Sequence, residues 1–354
     1  MIHPRRLGPL SRAPAVVAAM LVYWGGALSG GASALADEDA CQPRDGLSTC
    51  FVADNLWPHA GGTRWASQAP TETAAAESLA VSFFNAYLHQ PVGLRVPSPD
   101  PEGTTVYAVE HLWSSSLAMA LGVTDGLQVS LVLPFALYEH GAGKADVLGS
   151  EDGLPRSALG DLRFGATVAW LERDEADQGP GLSTRFEMTL PTGQENGFLS
   201  SPSAVYAPGA SFDYRIDDLT LGADLGVRLR RPVDFANIRI GNQLTASLGA
   251  GYDLLSDGWL SVNLEAFALV TLANQLAIVR APDGSTTTEE SGPIHAPAEW
   301  LLSARTAGLL DGRFRASLGG GSFIPTADSL AVTTPAFRVM AALHFVPQGD
   351  TSPP

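Results

Sequence analysis

Lysine is all but missing. Lys144 is the only one in 354 residues, and charged residues of every kind make up 16%. A soluble domain carries about a quarter charged residues, and the wet side of a soluble sheet draws freely on Lys and Glu. Cysteine is equally scarce, with Cys41 and Cys50 alone. A metal site there would need more ligands, and His59 is the only close histidine. In an oxidising compartment the pair closes a small disulfide loop. Long apolar runs are absent too: after residue 36 no 18 consecutive apolar residues occur, which excludes a membrane-spanning helix. The formal charge of −16 opposes nucleic-acid binding, which needs basic surfaces.

Catalytic signatures are missing as well. There is no G-x-S-x-G elbow and no H-x-x-x-H pair. His3, His59, His89, His111, His140, His295 and His344 are scattered. The stretch "YEHGAGKA" imitates a phosphate loop but has Tyr138 at the first glycine position and Ala145 at the Ser/Thr position. No catalytic residue, metal or cofactor is expected.

What is present begins with an export pattern over residues 1–36. A basic start, "MIHPRRLGPLSR", precedes an apolar stretch, "AVVAAMLVYWGGAL". Small residues Ala34 and Ala36 then stand before Asp37. This is the three-part layout of a signal peptide. Residues 37–77 lack periodicity and read as a periplasmic leader holding the Cys41–Cys50 pair.

From residue 78 the apolar period becomes two, the mark of a strand. Leu219, Leu221, Ala223, Leu225, Val227 and Leu229 alternate with Thr220, Gly222, Asp224, Gly226, Arg228 and Arg230. Residues 238–254 repeat the pattern. In 127–138, Leu127 to Leu137 share one face, with Gln128, Ser130 and Tyr138 on the other. Such segments number about 12, many longer than the five or six residues usual in globular sheets. Tight links such as "VTDGL" and "RIDDLT" alternate with long ones at 89–104, 139–158, 192–202, 231–236, 272–298 and 321–334. Asp-Gly favours hairpin turns, and one-sided loop length marks an outer-membrane barrel.

A soluble sandwich would also alternate. Here, though, the second face is built of Gly, Ala, Ser and Thr with isolated charges. Lipid offers backbone groups no partners, so a closed barrel is the viable β solution. Trp113, Trp170, Tyr252, Trp259 and Trp300 fall at plausible interface depth. The expected architecture is all-β: a transmembrane antiparallel up-and-down barrel over 78–346, with a short tail at 347–354.

With the polar face inward, the lumen receives Glu110, Asp161, Arg163, Arg185, Glu187, Asp213, Arg215, Asp224, Arg228, Arg230, Arg239, Glu265, Arg305, Arg313, Arg315 and Arg338. Arginines outnumber acids in this set. Two readings stay open. Arg and acid on neighbouring strands pair and fill a narrow interior, or unpaired arginines line a water path that favours anions.

The segments "NAYLHQPVGLRVP", "LGVTDGLQVSLVLPFALYEHG", "LGDLRFGATVAWL", "TLPTG" and "GNQLTASLGAGYDLL" resemble the amino-terminal barrel of OmpA-family outer-membrane proteins. They also resemble the related outer-membrane transporters of the MetA-pathway (phenol degradation) type. The resemblance implies a cell-envelope barrel in the bacterial outer membrane, in contact with lipid and lipopolysaccharide and seated by the barrel-insertion machinery. The expected function is passive passage of small molecules through a monomer, with loops 139–158 and 272–298 as candidate lids. The alternative is a structural or surface-interaction barrel with a salt-bridged, closed lumen.

Overall fold

A computed structural model describes residues 48–96, 104–143, 153–173, 177–235, 238–255, 259–280, 286–292, 295–306, 308–310, 313–325 and 334–346. Seventeen strands follow in chain order: β1 Leu79–Val96, β2 Thr104–Thr124, β3 Leu127–His140, β4 Ala158–Leu159, β5 Leu162–Leu171, β6 Gly179–Leu190, β7 Val205–Ile216, β8 Leu219–Arg228, β9 Val233–Phe235, β10 Ile238–Ile240, β11 Gln243–Asp253, β12 Leu260–Thr271, β13 Gln275–Arg280, β14 Thr286–Gly292, β15 Ala298–Thr306, β16 Phe314–Phe323 and β17 Phe337–Phe345. Twelve of them pair antiparallel in a ring, and β1 closes on β17 with Val81 opposite Phe345 and His89 opposite Phe337. The result is an all-β closed barrel. The small strands decorate its loops: β9 pairs with β10, β13 with β14, and β4 extends the edge of β3.

Side chains follow strand parity. On β8 the odd positions Leu219, Leu221 and Leu225 are exposed, while Thr220, Asp224 and Arg228 are buried. β11 and β12 continue the outer Leu/Ala face with Leu248 and Leu264. Such an apolar belt around a closed sheet has one stable surrounding, the hydrocarbon of a bilayer. The protein is therefore an outer-membrane barrel. Exposed aromatics border the belt at both ends, Trp113 and Trp300 towards the long loops and Trp170, Tyr252 and Trp259 towards the short turns.

The structure departs from the sequence reading in specific places. β1 up to Val96 and β2 from Thr104 project into the expected 89–104 loop as a paired ladder, which resumes past irregular pairing between His89 and Gly93. A register shift between Trp113 and Ser114 leaves Leu137 without an opposite partner. The bulge reverses parity on β3, so Tyr138 turns outward and Glu139 inward. The expected strand 237–254 breaks at Gly241 and Asn242 into β10 and β11. Loop 272–298 carries the β13–β14 hairpin, and part of loop 139–158 lies outside the described residues.

The largest difference concerns the segment assigned to a periplasmic leader. Residues 48–78 run inside the ring of strands. Ser48 bonds the Asp234 carbonyl at 3.0 Å and Ala53 the Phe198 carbonyl at 2.8 Å, both at the long-loop end. At the short-turn end Glu77 bonds the Gly122 carbonyl at 2.8 Å. The segment thus crosses the lumen from end to end. Its sequence shows no period because it belongs to no sheet; its partners are wall side chains all around it. Cys50 is disulfide-bonded, and Cys41, residues 1–36 and the tail 347–354 lie outside the described residues.

The lipid-facing assignment has a direct test. Leu248, mid-strand on β11 and 67% exposed, should not tolerate charge. Leu248→Arg is expected to lower unfolding stability in lipid by about 2–4 kcal/mol, against about 0–1 for Tyr252→Arg at the girdle. Denaturant titration of the folded barrel reads both.

Candidate functional site: the occupied lumen

The lumen divides into three zones. At the long-loop end the contacts are apolar. Phe51 of the inner segment meets Phe198 and Phe235 edge-on, each at 5.1 Å between centroids, and those two lie 5.9 Å apart. Inward Leu88, Leu112, Leu269, Leu301 and Met340 join them. These apolar inward residues escaped the assumption that the inner face is polar throughout. The run "AFALVTL" is apolar on both faces, and that loss of alternation was the available signal.

The middle zone is ionic. Arg338 is fully buried on β17. Its guanidinium meets Asp54 of the inner segment at 2.8 Å and Glu299 of β15 at 3.0 Å. Glu299 is absent from the expected lumen set, although its parity opposite the exposed Trp300 points inward. Asp224 receives two bonds from Arg185, at 2.6 and 2.8 Å, and a third from Ser211 at 2.6 Å. Glu187 lies 3.2 Å from Nδ1 of His59, 3.6 Å from Arg163 and 3.7 Å from Arg185. Trp57 is flanked by the guanidinium of Arg228 at 3.8 Å and of Arg163 at 4.8 Å from its ring. Arg163 also donates to the Pro58 carbonyl and Arg228 to that of Asn55. Guanidinium against an indole face is favourable, more so when desolvated.

Glu265 shows how the segment is seated. Its carboxylate accepts the backbone N–H of Ala66 and of Ser67, each at 2.9 Å, and the Ser67 hydroxyl at 2.7 Å. Ser67 also meets Ser247 at 2.7 Å between hydroxyl oxygens. Beside this contact the wall is glycine for a spatial reason. A Cβ on Gly222 would stand 2.8 Å from the Trp65 ring, and one on Gly249 2.7 Å. The small inward residues make room for the inner segment.

At the short-turn end a charged cavity of about 370 Å³ opens beside the segment. Arg173 pairs with Glu72 at 2.7 Å and with Asp177 and Asp213 at 2.8 Å. Arg215 reaches Asp177 at 2.6 Å and Asp253 at 2.7 Å, and Arg64 also binds Asp253. Arg305 and Arg315 face the same cavity without an ion pair among the described residues.

The remaining expected lumen residues fall elsewhere. Asp161 precedes β5 and ties down a loop, accepting from Gly193 at 3.0 Å, Ser200 at 2.8 Å and Ser201 at 2.7 Å. Arg230 lies past the end of β8 and donates to Gln243 at 2.9 Å. Arg239 leaves the wall: the break at Gly241–Asn242 puts it on the β9–β10 hairpin, paired with Asp234 at 2.8 Å. Arg313 is exposed in the turn before β16, where the chain has not yet entered the ladder. Glu110 is half-buried on the projecting part of β2.

A closed twelve-stranded barrel with an apolar belt and an occupied, charged lumen defines an outer-membrane channel fold. The family model for the MetA-pathway of phenol degradation matches residues 104–286, just over half of the chain. The chain belongs to that family. Among solved structures it is similar to an outer membrane channel from Pseudomonas putida F1, at 12% identity and a TM-score of 0.54, covering 78% of this chain and 97% of that one. It is more distantly similar to the NanC porin, at 10% identity and TM-score 0.43 over 77% and 100% of the two chains. The toluene transporter TbuX of Ralstonia pickettii gives 10% and 0.39 over 77% and 90%. No curated protein matches significantly.

Two outcomes test the seating. Glu265→Gln should lower the local opening free energy at Ala66 and Ser67 by about 2 kcal/mol, since hydrogen bonds to a charge contribute roughly 1.5–3 each; amide hydrogen exchange reads it. His59→Gln, which takes the imidazole away from the Glu187 carboxylate, should likewise accelerate exchange at 56–68.

Proposed function

We propose that the protein is a passive outer-membrane channel for small molecules, monomeric and without enzymatic activity, in which residues 48–78 form the constriction. The observation that carries this reading is the chemistry of the seat. Eight-stranded barrels are filled by their own side chains. This wider ring is filled by a separate segment, held through the middle and lower zones by polar and ionic contacts that water can replace. The charged cavity already opens part of the route. The proposal extends to an OmpA-like barrel architecture, contact with lipopolysaccharide and assembly by the insertion machinery.

The second reading, a closed structural barrel, is favoured by the Phe51, Phe198 and Phe235 contact, which water does not replace. Planar-bilayer recording separates the two. Wild-type protein should show small, brief openings. Glu265→Gln combined with Trp57→Ala should raise the open probability by about thirtyfold or more, at least the roughly 2 kcal/mol that Glu265→Gln takes from the seating equilibrium. Silence in both proteins contradicts a channel and leaves the closed barrel.

A further inference from the structure

We infer that the cavity at the short-turn end is a binding site for a small oxyanion of the carboxylate class, held by Arg305 and Arg315. The inference deepens the channel reading by naming a solute class, and rests on that reading only for the anion's role as a passing solute.

Charge balance around the cavity is uneven. On one side Arg64, Arg173 and Arg215 are interlocked with their acids, and Asp253 is shared between Arg64 and Arg215. On the other side Arg305 is 8% exposed, and its Nε and one terminal nitrogen have no hydrogen-bond partner among the described residues. Its main electrostatic neighbours are the cations Arg315 and Arg64. The one acid among them is Asp253, already engaged. Arg315 stands on the next strand, reaches towards the inner segment at Gly62, and forms no ion pair among the described residues. A buried unpaired charge is costly, and two adjacent guanidinium groups repel.

The missing partner is an acceptor that takes paired N–H donors. The planar guanidinium fork matches a carboxylate or phosphate in bidentate geometry. Size limits the class: about 370 Å³ is near the lower end of ligand pockets, roughly 300–1,000 Å³. The charged walls give an apolar solute no counterpart. Arg305 lies near the end of β15, so the site is placed on the short-turn, periplasmic side of the ionic zone, beyond the apolar seal.

Isothermal titration calorimetry on the full chain, folded in detergent, tests the assignment, with succinate and inorganic phosphate as separate probes at pH 7 and constant ionic strength in chloride. Saturable binding of succinate is expected. Arg305→Gln and Arg315→Gln should each weaken it by about tenfold or more, as for loss of a charge-assisted pair, while Arg305→Lys keeps part of it. Without anion, Arg305→Gln should unfold no earlier than wild type; a purely structural arginine would give earlier unfolding. Saturable binding of phosphate alone moves the site to phosphate and overturns the carboxylate assignment. No saturable heat with either probe, or undiminished binding in folded Arg305→Gln, overturns the site. Because calorimetry reads binding without conduction, a silent bilayer would sink the channel reading and leave this result standing.

Discussion

A charge facing the inside of a lipid-embedded barrel must find a partner there, because none exists outside it. That constraint organises this molecule. Arg338, Arg228, Arg163, Glu187 and Glu265 are buried on the inner face, and the wall alone does not satisfy them. The inner segment supplies what is missing: Asp54 to Arg338, the Trp57 ring to Arg163 and Arg228, His59 to Glu187, two backbone N–H groups to Glu265. Wall and segment are complementary in detail, so neither is stable in this arrangement without the other.

The same constraint explains the gradient along the lumen. Where the segment meets the loops, contacts are aromatic and exclude water. Further in they are ionic, and at the short turns they give way to a charged cavity. The bonds are individually strong because they are desolvated, yet a polar seat is the kind that water and solute can compete for. Removal of one partner leaves a charge stranded, which makes the seat sensitive to single substitutions.

Most of the wall was legible in the sequence. Period-two alternation set strand identity and facing for β8, β11 and β17, and the Asp-Gly turn at 125–126 set the β2–β3 hairpin, because both signals are local. Local disturbances broke the reading where parity was carried across them: the bulge at Leu137 reversed Tyr138, and the Gly241–Asn242 break removed Arg239 from the wall. The contents of the lumen were not legible. Residues 48–78 have no period, and their partners are far away in sequence, as Ser67 and Glu265 are by 198 positions. Inward arginines could be enumerated, but whether they were paired depended on a segment the pattern assigned to the periplasm. Glu299 was readable from its parity opposite Trp300.

The central claim is that residues 48–78 occupy the lumen of the membrane-embedded protein. Cysteines placed at Ser67 and Ser247, whose hydroxyl oxygens are 2.7 Å apart, test it most directly. Ser67→Cys with Ser247→Cys should form a disulfide spontaneously and near completion in isolated outer membranes, detected by mass spectrometry of the cleaved protein. Two free thiols, with the residue-67 thiol open to a membrane-impermeant reagent from the periplasmic side, would contradict the account.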